Sequence, residues 1–298
     1  MKKFFITVAL ICSGTMAYAQ LVDVESVQQI RLSENVIVNH PTISPDGSFA
    51  VVSDLASTAL RRVDLATGKV DLITDNGSGV DVRISPDNQN VVYRQITTSK
   101  NHLRYTALKA YNFTSRSEQQ VLKPSRNLNG VAFNGTDVVA IEKGRARTKS
   151  LGKARENRPV VSISQGHLNI TINGKTTTLD PQGRSSYLWP SISPDGTKIL
   201  YWVAYRGCFV CDLDGSNPLS LGELRAARWL DNSTVVGQRD RDNGEFITES
   251  RLIAADLKGT EQVLTDDSVV ALNPSVSTDG KKIAFATNKG ELYVLNLK

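Results

Sequence analysis

Pro41-Thr42-Ile43-Ser44-Pro45-Asp46-Gly47 is the first statement of a phrase that the chain repeats. It returns as Arg83-Ile84-Ser85-Pro86-Asp87-Asn88, as Pro190-Ser191-Ile192-Ser193-Pro194-Asp195-Gly196 and as Pro274-Ser275-Val276-Ser277-Thr278-Asp279-Gly280. Each copy closes one apolar run and opens another: Ala50-Val51-Val52, Val91-Val92-Tyr93, Ile199-Leu200-Tyr201 and Ile283-Ala284-Phe285. Asp-Gly between such runs signals a hairpin, because glycine supplies the positive φ of a tight turn without steric cost. A recurring phrase of this kind marks repeated supersecondary units.

The spacing selects the class of repeat. Asp46 to Asp87 is 41 residues and Asp195 to Asp279 is 84, two steps of 42. That is the period of four-stranded propeller blades rather than of helical repeats. Two weaker copies, Gly130 to Gly135 before Val138 to Ile141 and Ala227 to Asn232 before Thr234 to Val236, keep the strand, turn, strand order and bring the count to six. No segment after residue 20 sustains helical periodicity, so the expectation is an all-β, six-bladed β-propeller.

The closure of the ring is also written in the chain. The segment from Gln28 to Ile37 ahead of Pro41 matches Glu261 to Val270 ahead of Pro274 at the same offset, and the last unit stops at Lys298 after its third strand. The N-terminal segment is therefore expected to complete the last blade, which leaves only short protected edges.

With these repeats in hand, the chain resembles the six-bladed β-propellers of the TolB type, built from the Ser-Pro-Asp-Gly blade repeat, over roughly residues 28 to 298. The resemblance implies the fold. It also implies a spread of functions, since such blades serve in periplasmic binding and scaffold proteins and in the gating propellers of some serine peptidases, and a fold does not transfer a site.

Residues 1–19 read as a leader. Lys2-Lys3, the apolar run Phe4 to Cys12 and Ala17-Tyr18-Ala19 before Gln20 have the three parts of a secretory signal, with a cut expected before Gln20 and a single domain over 20–298. The apolar run is too short to anchor in a bilayer. Periplasmic or secreted localisation follows, with no transmembrane segment. Losing Lys2 and Lys3 takes the net charge from +5 to +3, a balance too mild to point to nucleic acid. Cys208 and Cys211 then remain; at i and i+3 on one strand they point to opposite faces roughly 10 Å apart, beyond disulfide reach, and read as small buried apolar residues.

Candidate binding residues come from charge. Lys143 to Arg158 holds seven positive residues against one Glu; read as a long loop, with Arg145, Arg147, Lys149, Lys153 and Arg155 exposed, it suits an acidic partner or an anionic ligand by steering. Tyr205-Arg206 is expected on the same face, together with Asn101-His102, Tyr187-Leu188-Trp189 and Arg239 to Asp242, as aromatic and guanidinium material of a peptide or sugar site. Trp189 and Trp202 are each expected to pack between blades. Arg83 and Arg228 fall at one repeat position where other units carry Thr42, Ala132, Ser191 and Ser275; they approach the channel to hold an anion, or each pairs with a carboxylate between blades.

Catalytic material is thin. His40, His102 and His167 lie in three units, no Gly-x-Ser-x-Gly elbow is present, and the acidic stretches Asp240 to Glu245 and Asp212 to Asn217 lack the ligand spacing of a calcium loop. The expectation is a non-enzymatic exported module, without cofactor or metal, that binds or scaffolds another envelope protein or an anionic ligand. Two alternatives stand beside it: a propeller lactonase or lyase with a metal in the channel, and a binder of anionic polysaccharide.

Overall fold

A computed structural model describes residues 20–298; the leader expected at 1–19 lies outside the described residues. All regular elements among them are strands. β1 is Val24–Ile30. The first blade is β2 (Asn39–Ile43), β3 (Phe49–Ser53), β4 (Leu60–Asp64) and β5 (Val70–Thr74). The second is β6 (Ser78–Ile84), β7 (Asn90–Thr98), β8 (Arg104–Asn112) and β9 (Ser117–Ser125). Then come β10 (Leu128–Glu142), β11 (Arg145–Arg155), β12 (Val160–Ser164), β13 (His167–Ile172) and β14 (Lys175–Thr178). Two further blades are β15 (Tyr187–Ile192), β16 (Lys198–Val203), β17 (Gly207–Asp212), β18 (Leu219–Gly222), and β19 (Arg225–Trp229), β20 (Thr234–Asp242), β21 (Ile247–Asp256), β22 (Glu261–Val263). The last is β23 (Ala271–Val276), β24 (Lys282–Thr287) and β25 (Leu292–Leu297), joined by β1.

The six repeat units form the β-propeller that the sequence predicts. The third differs from the rest by spreading over two sheets, β10–β11 and β12–β13–β14, so that the described residues form seven sheets round the ring. Fifteen extended residues span roughly 50 Å, yet Lys143 N donates to Asn127 O at 3.0 Å across the ends of β10. β10 therefore doubles back on itself about Asn134-Gly135, where Gly135 has φ +59°, and supplies both the inner and the second strand of its sheet. The adjoining sheet turns at Gln165-Gly166, both at positive φ, with Ser164 facing His167. Inner strands of the two sheets run close: a Cβ on Gly130 would lie 2.8 Å from Ser162 Cβ and 2.9 Å from Val161 O, so only glycine fits there.

The core lies in the seams between sheets. Phe49, Leu60 and Tyr93 fill the seam between the first two blades, Leu128, Val138 and Leu108 the next, and Val139, Ile141 and Val160 the junction inside the third unit. Leu168, Tyr187 and Tyr201, then Trp202, Cys208 and Trp229, continue the circuit. Cys208 and Cys211 are free and buried, and burial pushes both thiols up to about 12. Trp202 packs in its seam as expected; Trp189 does not, being half exposed with its ring 6.3 Å from that of Trp202.

Closure follows the sequence reading, with the strand beginning four residues earlier than the matched segment. β1 runs antiparallel to β25, with Ile30 opposite Leu292. Beyond it, Ile30, Leu32, Val36 and Val38 enter the seam between the last blade and the first, and Ser33 N donates to Gly68 O at 2.9 Å. Ahead of it, the amides of Leu21 and Val22 donate to Gln262 Oε1, each at 2.8 Å. The N-terminal segment thus ties three consecutive blades together.

Each Ser-x-Asp turn is held by the same lock. Ser193 is fully buried; its hydroxyl donates to Asp195 at 2.6 Å and accepts the Lys198 amide at 2.9 Å, while Asp195 also accepts the Thr197 amide at 3.1 Å. Ser44, Ser85 and Ser277 repeat the arrangement with Asp46, Asp87 and Asp279. The Ser193 hydrogen bond and the Thr197 contacts hold the Asp195 carboxyl below its ordinary 3.8.

Two outcomes follow. Ser193→Ala strands buried donors and is expected to lower stability by about 1–3 kcal/mol in chemical denaturation. Because a depressed carboxyl lends stability above its unfolded value and loses it as pH falls through the folded one, the gap between wild type and variant should narrow below pH 3.8. Ile30→Ala, which opens the closure seam, should cost about 2–4 kcal/mol in the same measurement; a change under about 0.5 kcal/mol would mean that the ring does not depend on β1.

Candidate functional site

Two charged regions stand out, one on the axis and one on the rim. The axial region is made by the inner strands. In five of them one residue takes a left-handed conformation, at φ 42° for His40, 55° for Asp81, 50° for Trp189, 49° for Ala226 and 54° for Asn273. Each coincides with a slip in the register to the second strand. A bulge of this kind bends the strand and re-aims its side chains. Two residues on from each stand Thr42, Arg83, Ser191, Arg228 and Ser275, the repeat position picked out in the sequence.

The two arginines at that position are held differently. Arg83 pairs with Asp81 at 2.7 Å and donates to Val82 O at 2.9 Å. Asp81 also takes Arg94 from the second strand at 2.7 Å, and Arg94 reaches Leu128 O at 3.1 Å. Burial works against the Asp81 charge, and Arg83 and Arg94 overcome it, leaving the carboxyl below its usual range. Arg228 has no carboxylate in ion-pairing distance among the described residues; it donates to Ala227 O at 2.9 Å and Ala226 O at 3.4 Å. Desolvation, then the like charge of Arg83, lowers its guanidinium to about 10. β6 and β19 belong to sheets that are not neighbours, so Arg83, Asp81 and Arg228 act on one another across the channel. His40 joins them from β2: burial, then Arg228, lowers its imidazole below 6.5. The choice left open by the sequence therefore divides, with Arg83 paired to a carboxylate and Arg228 not.

The rim region corrects a sequence expectation. Lys143 to Arg158 is not a long loop. Lys143-Gly144 turns, both at positive φ, Arg145–Arg155 is β11, paired along β10 from Glu142–Arg145 to Asp137–Ser150, and only Glu156 to Arg158 remain outside a strand beyond it. The alternation Arg145-Ala146-Arg147-Thr148-Lys149-Ser150 is a strand pattern that the density of charge concealed. Arg145, Arg147 and Lys149 share one face, and Lys149 Nζ donates to Gln120 O on β9 at 3.0 Å. Arg147 comes within 3.8 Å of Glu142 and Arg155 within 3.9 Å of Asp137. Arg145 and Lys153 are exposed. Among the described residues, β11 is the outer strand of its sheet, with no strand on its far side.

Other expected site residues disperse. Tyr205 is fully exposed at the β16–β17 turn, with φ 63°. Arg206 beside it donates to Gln182 O at 3.1 Å and lies 5.9 Å from the Phe209 ring. Tyr187 is not a loop residue; it is buried, its hydroxyl donating to Gly183 O at 2.8 Å. Arg239 to Asp242 is also strand rather than loop, Arg239 clasping Glu261 and Arg225 pairing with Asp240 at 3.0 Å. His167 meets Asp180, and His102 sits in the β7–β8 turn. Among the described residues, no three His, Cys, Asp or Glu side chains gather to hold a metal.

No family model matches the chain, and no curated protein matches it. Solved structures do. The WD40 repeats of RRP9 are 11% identical, with 93% of this chain and 99% of that one aligned at a TM-score of 0.64. A chain of the mitotic checkpoint complex is 10% identical over 99% and 98%, at 0.62. Oligogalacturonate lyase in complex with manganese is 16% identical over 87% and 76%, at 0.45. The chain has a WD40-like propeller fold. The likeness is one of fold alone, and no helix among the described residues is long and apolar enough to cross a membrane.

Proposed function

We propose that the chain is a non-enzymatic binding module, exported through the leader at 1–19 as a single domain over 20–298, that captures an acidic, extended segment of another envelope protein along β11. The observation that carries this is an eleven-residue basic strand with an open edge. An open edge presents unpaired N–H and C=O groups to which a further strand can add. Outer strands elsewhere are shorter, with three residues in β22 and four each in β14 and β18. The five cations Arg145, Arg147, Lys149, Lys153 and Arg155 repel a second copy of the same edge and attract an acidic strand. One feature thus guards against self-association and selects the partner.

The Ser-Pro-Asp-Gly wording of the TolB type supports the same role, since that resemblance implies periplasmic binding and scaffold proteins. A metal-dependent lyase or lactonase is disfavoured by the axis, where three guanidinium groups face a single carboxylate and repel a cation. An anionic polysaccharide would feel the same rim charge without using the backbone edge.

The test is direct. Fluorescence anisotropy with a labelled peptide alternating Asp and Val should show binding that weakens with salt and falls at least about tenfold in the variant Arg145→Glu, Arg147→Glu, Lys149→Glu, each reversed contact being worth a good part of 1 kcal/mol. The same peptide with a central Pro, which cannot add to a ladder, should lose binding too. Retention by the Pro peptide, or equal binding of heparin by wild type in competition with no strand signal, would favour the polysaccharide reading instead.

A further inference from the structure

The charge on the axis does not balance. Arg83, Arg94 and Arg228 bring three positive charges and Asp81 one negative, and His40 is held toward its neutral form by burial and Arg228. A surplus of two positive charges remains in a channel walled by protein. Arg94 and Arg83 share Asp81, while Arg228 has only backbone carbonyls. Arg228 nonetheless keeps an accessible face toward the channel.

The other residues at the repeat position are uncharged. Ser191 and Ser162 carry hydroxyl oxygens that are shut off from solvent without a hydrogen-bond partner among the described residues. Ser191 stands at the Arg228 position of β15, whose neighbour is β19: Trp229 Nε1 approaches Ser191 O at 3.5 Å. Ser162 has the equivalent place in Ser162-Ile163-Ser164, the wording of Ser191-Ile192-Ser193. Ser162, Ser191, Thr42 and Ser275 share with Arg83 and Arg228 one repeat position on the inner strands, so the wall between the two guanidinium groups carries no carboxylate at that position.

We propose that the channel binds a small, doubly charged oxyanion of the sulfate, phosphate or dicarboxylate kind, with Arg228 as its principal anchor, Arg83 opposite and His40 beside it. This site is distinct from the β11 edge and takes a different ligand. A dianion cancels the surplus and gives Arg228 the counter-ion it lacks. It also favours the protonated form of His40. The charged groups facing that imidazole are Arg228, with Arg83, Arg94 and Asp81 across the channel, and their net positive field is what the anion offsets.

Sulfate is the probe, because it stays doubly charged throughout the pH range of interest. Isothermal titration on the full chain should show one saturable sulfate site, with acetate binding at least about tenfold more weakly, and Arg228→Leu should weaken sulfate at least about tenfold, as loss of a charge-assisted contact does. In anion-free buffer, Arg228→Leu should melt no lower than wild type, since it removes an uncompensated charge. Affinity for sulfate should rise as pH falls below 6.5, and His40→Gln should flatten that rise. The rim variant Arg145→Glu, Arg147→Glu, Lys149→Glu should bind sulfate like wild type. Equal sulfate affinity in wild type and Arg228→Leu, or parity between acetate and sulfate, overturns the proposal; loss in the rim variant places the site on β11 instead. Phosphate and succinate, run in parallel, tell which oxyanion geometry the channel prefers.

Discussion

The fold depends on a hydroxyl. In four of the five four-stranded blades the inner hairpin turns on a serine that is wholly or almost wholly buried, exposed by 0–2% at Ser44, Ser85, Ser193 and Ser277. That hydroxyl has two duties at once, giving its proton to the Asp two residues on and accepting the amide five residues on. The Asp in turn gathers the amide at the far side of the turn. With these polar groups satisfied inside six residues, the turn can sit against a neighbouring blade with those donors paired. The two strands leaving it are then free to be apolar on both faces, as β3, β16 and β24 are, and to be packed between seams. A propeller needs its second strands buried from both sides, and this lock lets the sequence meet that demand in so few residues.

Because the lock is local, it was legible. Ser, Asp and Gly sit within four positions, and their spacing fixes hairpin, period and ring together. Closure was legible for the same reason, since residues 28–37 repeat the grammar of an outer strand. What escaped the sequence lies where the lock is missing. In the 108 residues from Asp87 to Asp195, two turns are built on Asn134-Gly135 and Gln165-Gly166, and glycine backbone alone does what Ser and Asp do elsewhere. Two short sheets result in place of one four-stranded blade. The approach of Gly130 to Ser162 allows them to stand side by side. The strand character of β11 escaped for a different reason: period-two alternation is usually read from apolar residues, and here the alternating residues are Arg, Arg and Lys.

The candidate sites divide along the same line. Sequence placed Arg83 and Arg228 at one repeat position, and the ring brings both to the axis. It did not show that Asp81, two residues ahead of Arg83, would be turned by a left-handed bulge to share its charge between Arg83 and Arg94. The matching position ahead of Arg228 is Ala226, which carries no charge. Two arginines in equivalent places therefore have opposite electrostatic fates, decided by one residue each. Such a difference is visible in the letters only after the bulge is known.

Rim and axis are consequently separate electrostatic problems. On β11 the cations are exposed, their partners lie near the limit of ion pairing, and water and salt screen them, so their effect is long in range and weak per contact. On the axis the charges are few and close to one another, with Arg83 and Arg94 sharing Asp81 at 2.7 Å and Arg228 without a carboxylate among the described residues, so the missing partner matters more. A polymer or an extended chain suits the first environment, because many weak contacts add along a line. A compact ion suits the second, because one ligand can answer the whole surplus. The division of labour follows from arrangement: arginine spaced along an open strand recruits from a distance, and arginine sharing one carboxylate with two others demands a counter-ion.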